Sequence, residues 1–92
     1  MLDQQLHTAR PEVVNRLKRA HGHLQNVIAM IENERPCVDI AQQLHAVERA
    51  IGAAKKLVIH DHLDHCLEKM VSVDAAQLRT SLNEFKDITK YL

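Results

Sequence analysis

The chain has 92 residues, and its chemistry is concentrated in two cysteines and seven histidines. Cys37, His62 and Cys66 stand out among them. His62 and Cys66 are four residues apart, the spacing at which two side chains of one helix converge on a single ion. Thiolate and imidazole donors together suit Cu(I), Zn(II), Ni(II) or Co(II) far better than Mg(II) or Ca(II). The N-terminus lacks the apolar run of a signal peptide, so a cytoplasmic location is expected. In that compartment two cysteines are better read as ligands or sensors than as a structural disulfide.

Helices must position these groups. One Tyr, one Phe and no Trp stand against plentiful Ala, Leu, Val and Ile, which predicts an aliphatic, helical core. Pro11 suits a first helical turn, and Val14, Leu17, His21, Leu24, Ile28 and Ile31 recur at helical spacing, giving a first helix over about 11–33. Pro36 breaks that pattern and opens a second helix over about 37–70, with Asp39 in its first turn and a stripe of Ile40, Leu44, Val47, Ile51, Ala54 and Val58. Asp74 to Gln77 reads as a capping box for a third helix over about 75–90, which carries Leu78, Leu82, Phe85 and Ile88. The expectation is an all-α chain, a single domain over 1–92. Its first two helices form an antiparallel hairpin, and two hairpins make a four-helix-bundle dimer.

Helix geometry bears on how the ligands meet. Cys37 and His62 are 25 residues apart, about 37 Å along one helix axis. No ion spans that gap. Yet Cys37, His62 and Cys66 fall within about 40° of one another around the helix. Two copies packed antiparallel about an axis near Ala50 or Ile51 would bring Cys37 of one to His62 and Cys66 of the other. Such a dimer holds two equivalent sites.

The formal net charge is zero with histidine neutral, without the basic excess that most readily announces a nucleic-acid binder. The distribution is uneven. Arg10, Arg16, Lys18 and Arg19 cluster against Glu12 alone, whereas 60–68 carries Asp61, Asp64 and Glu68 with no Lys or Arg. No stretch approaches a membrane span. There is no Gly-rich phosphate loop or nucleophile elbow, so an enzyme is not expected.

Four segments, Arg16 to His23 (RLKRAHGH), Arg35 to Asp39 (RPCVD), Gln42 to Val47 (QQLHAV) and His62 to Cys66 (HLDHC), together resemble the CsoR/RcnR family of metal-responsive repressors. The resemblance covers about residues 11–70. It implies a dimer of hairpins, usually paired into a disc-like homotetramer, that binds double-stranded operator DNA without metal and releases it when the ion binds, derepressing metal efflux or resistance genes. It makes Cys37, His62 and Cys66 the core ligands. Nickel and cobalt members add an N-terminal histidine, a role open to His7. Pro36 stands where some copper sensors have a tyrosine, and this favours Ni(II) or Co(II) over Cu(I). Arg16, Arg19, Arg49, Lys55 and Lys56 resemble the family's DNA-contacting surface. Two rivals remain: a persulfide- or formaldehyde-sensing repressor of the same fold, and a helical metal-storage or delivery protein.

Overall fold

A computed structural model describes residues 10–72 and 74–92. His7 lies outside the described residues. The chain is all-α, with three helices and no strand among the described residues: α1 (Arg10–Glu32), α2 (Cys37–Ser72) and α3 (Ala75–Thr89). No helix among them is long and apolar enough to cross a membrane.

The turn after α1 is closed by backbone bonds. Arg35 N–H donates to the Met30 carbonyl at 3.0 Å and Glu34 N–H to the Ile31 carbonyl at 3.1 Å. This pair of bonds is a Schellman motif, which requires a left-handed residue at its centre. Glu34 fills that place at φ 56°, although it has the Cβ that glycine lacks. Pro36 then supplies the carbonyl that accepts the Ile40 N–H at 3.1 Å. Cys37 is therefore the first residue of α2, as its place after Pro36 led us to expect.

Two compact units divide the chain, Pro11–Lys55 and Lys56–Leu92. In the first, Val13, Ala20 and Val27 of α1 and Val47 and Ala54 of α2 are buried. Each helix repeats these at seven residues, the period of a packed helix pair. The expected α1 stripe proves to be a different one. Val14, Leu17, His21, Leu24, Ile28 and Ile31 are exposed, as are Leu44 and Ile51 of the α2 stripe. The reason is side-chain size: Val and Ala let helix backbones approach closely, so they take the inner seam. Larger aliphatic groups form a second seam on the neighbouring face. Ile28 and Ile31 keep 49% and 53% of their surface.

In the second unit Ile59 and Cys66, two turns apart on α2, are buried together with Ser81 of α3. The α3 start matches the capping box read from the sequence: the Asp74 side chain accepts the Gln77 N–H at 2.9 Å. That bond satisfies one of the donors a helix start leaves open.

Glu34→Gly should raise stability by roughly 0.5–1 kcal/mol, since relief of the left-handed strain outweighs the freer unfolded chain. Urea unfolding at fixed protein concentration measures it. Unchanged or lower stability would mean that the turn carries no such strain.

Candidate metal centre

The centre is built on one turn of α2 and one turn of α3. His62 and Cys66 lie one above the other on α2. On α3, buried Ser81 precedes Glu84 by three residues, so the face that packs inward also delivers the Glu84 carboxylate. Ligand atoms of His62, Cys66 and Glu84 all lie within 4.8 Å of one another. Cys66 is buried, His62 half-buried and Glu84 exposed. Imidazole nitrogen, thiol sulfur and carboxylate oxygen thus converge at the edge of a packed core. This mixed donor set fits a borderline transition metal.

Burial pushes the Cys66 thiol pKa up, the Glu84 carboxylate pushes it the same way, and Lys69 opposes them. All three effects act through the thiolate charge, which an apolar surrounding and a neighbouring anion both disfavour. The thiol therefore holds its proton more firmly than a free cysteine does. A cation held by Cys66 would favour the thiolate and release that proton.

Of the ligands read from the sequence, the structure brings together His62 and Cys66. Cys37 is exposed at the start of α2 and does not belong to the cluster. α2 runs without interruption from Cys37 to Ser72. Glu84 was not foreseen, because in the sequence it is an ordinary acidic residue, beside Asp87, on an amphipathic helix. Only the folding back of α3 singles it out.

The residues read as DNA contacts lie mostly on open surface: Arg19, Arg49, Lys55 and Lys56 are exposed and Arg16 is half-buried. Arg16 and Arg19 line a cleft of about 280 Å³ with Ala20, His23 and Ala50. Arg16 also pairs with Glu12 at 3.2 Å. His23 is hydrogen-bonded through Nε2 to the Gln43 side chain, which ties α1 to α2. Two other histidines pair one turn ahead, His45 with Glu48 at 3.7 Å and His65 with Glu68 at 3.5 Å.

A family described as metal-sensitive transcriptional repressor matches residues 9–91. The copper-sensing transcriptional repressor CsoR of Mycobacterium ulcerans is 32% identical over 90 residues, covering 98% of this chain and 75% of its own. CsoR of Bacillus subtilis is 36% identical over 83 residues, 88% of this chain and 82% of its own. Among solved structures, the nickel-responsive transcriptional regulator InrS is similar with a TM-score of 0.80 and 28% identity, covering 94% of this chain and 96% of its own.

Glu84→Gln removes a negative charge beside the thiol, so the Cys66 pKa should fall. In a metal-free Cys37→Ser background, the pH profile of Cys66 alkylation should move to lower pH. A profile that stays in place would show that the Glu84 charge does not reach the sulfur.

Proposed function

The chain belongs to the family of metal-sensitive transcriptional repressors, proteins that regulate transcription rather than catalyse a reaction, and on that footing we propose the signal and the ligands through which it acts. The metal-free protein binds operator DNA and releases it on taking up a transition metal, Ni(II) or Co(II) in preference to Cu(I), derepressing metal efflux or resistance genes. The observation that carries this reading is the convergence of His62, Cys66 and Glu84, with Cys37 exposed elsewhere on α2.

Two donors from one α2 leave a transition metal under-coordinated, and Cys37 of a second copy supplies the missing thiolate. The exposed seam of Leu17, Leu24, Ile28, Leu44 and Ile51 supports such a pairing, because isolated chains would leave a contiguous apolar face in water. His7 is the candidate fourth ligand. Glu84, whose carboxylate lies within 4.8 Å of the His62 and Cys66 ligand atoms, would tie the metal site to α3. Two relatives named for copper and a fold neighbour named for nickel leave the ion to the donors. His7, a second imidazole in addition to that of His62, and Pro36 before Cys37 favour the divalent ions.

Arg16, Arg19, Arg49, Lys55 and Lys56 form the DNA-facing surface, repeated by symmetry in a dimer or homotetramer so that a neutral chain presents an extended cationic field. Release then follows from linkage. An ion that prefers an arrangement of the paired chains other than the DNA-binding one shifts the population toward it, and it lowers DNA affinity by the same factor by which DNA lowers metal affinity.

Cys37→Ala should bind operator DNA as the parent does but lose metal-induced release, read by fluorescence anisotropy during titration with Ni(II), Co(II), Cu(I) and Zn(II). A metal response that survives intact in this variant would defeat the assignment of Cys37. Release by Cu(I) alone would overturn the preference for divalent ions.

A further inference from the structure

α2 continues past Cys66 to Ser72, and one turn beyond Cys66 it carries Met70. His62, Cys66 and Met70 therefore follow one another at four-residue spacing, which sets imidazole, thiol and thioether along one face of the helix. Each step turns that face by only about 40°. Leu or Met would pack alike at such a position. Only Met brings a sulfur.

Burial marks the same face. Ile59 and Cys66 are buried and His62 and Met70 half-buried, whereas Leu67 and Val71, on the adjoining flank, keep 52% and 87% of their surface. Met70 thus belongs to the side of α2 that holds the His62, Cys66 and Glu84 cluster and not to the open side. Long side chains of a helix lean toward its N-terminus, over the turn before their own, and this directs the Met70 thioether back over Cys66. Lys69, from the same turn, is near enough for its charge to act on the Cys66 thiol.

We infer that Met70 Sδ is a further donor of this centre, engaged by Cu(I) and not by Ni(II) or Co(II). This rests on the reading of His62 and Cys66 as metal ligands and deepens it by giving one site two modes. In the soft mode the thiolates and the thioether hold the monovalent ion; in the borderline mode the imidazoles of His62 and His7 supply nitrogen to a divalent one. A thioether is neutral, so it adds a donor without adding negative charge around an ion that carries a single positive one. Its polarisable sulfur suits copper in that state and is a poor partner for the harder divalent ions.

The test uses the full chain, kept reduced and free of oxygen, with Cu(I) measured by competition against a chromophoric chelator and Ni(II) by direct titration. Met70→Leu conserves volume and apolar character, so the fold is retained. It should weaken Cu(I) binding about tenfold or more, at least the cost of losing a group that merely supports a ligand, and leave Ni(II) affinity unchanged. X-ray absorption at the copper edge should count one sulfur fewer in the variant than in the parent. Met30→Leu, at a half-buried position of α1 in the Pro11–Lys55 unit, should alter the binding of neither ion. Cu(I) affinity and a sulfur count equal to the parent's in Met70→Leu would overturn the inference while leaving His62 and Cys66 as ligands. Equal losses for Cu(I) and Ni(II) would show that Met70 acts by packing alone and overturn it too. A parent protein that takes up neither ion would defeat the reading of the metal centre, and this inference with it.

Discussion

A helix of 36 residues with no break, α2, constrains everything else in this protein. It places Cys37 in its first turn and His62 and Cys66 after 25 and 29 further residues. At a rise of about 1.5 Å per residue a rigid helix cannot fold its own ends onto one ion. If the three residues serve one metal, the metal must also join two chains. Assembly then becomes part of the sensing chemistry, and the affinity for metal depends on how the chains are paired.

The packing within one chain is consistent with that demand. Val13, Ala20, Val27, Val47 and Ala54 satisfy the inner seam of the Pro11–Lys55 unit with small side chains. The larger Leu and Ile residues are thereby kept for a face that one chain does not cover. Burial of such side chains is worth roughly 1.5–3 kcal/mol each when complete. Half-exposed, they retain much of that as a driving force for association.

At the other unit, the surroundings of Cys66 favour its protonated thiol. Cys66 is enclosed and faces the Glu84 carboxylate, and both disfavour its thiolate. The same enclosure sets the Glu84 carboxylate of α3 beside His62 and Cys66. Basic groups on the Pro11–Lys55 unit have a different character. They are open to solvent, with one guanidinium nitrogen buried and unpartnered, and so are suited to a partner that supplies oxygen atoms.

Much of this could be read from the amino-acid sequence. Helical periodicity, Pro36 and the Asp74–Gln77 cap pointed to three helices, because those are local features whose energetics depend on neighbours a few residues away. The four-residue spacing of His62 and Cys66 likewise put both ligands on one helix face. Which apolar stripe turns inward was not legible. Each helix carries two seams, and the choice depends on how closely the backbones approach, a property of the pair rather than of either helix. Nor was Glu84, whose place beside His62 and Cys66 requires α3 to return against α2, or the hydrogen bond by which His23 meets Gln43 across 20 residues of sequence. Spacing along a chain determines what one helix can present; only the packing of one helix on another decides which of those groups meet.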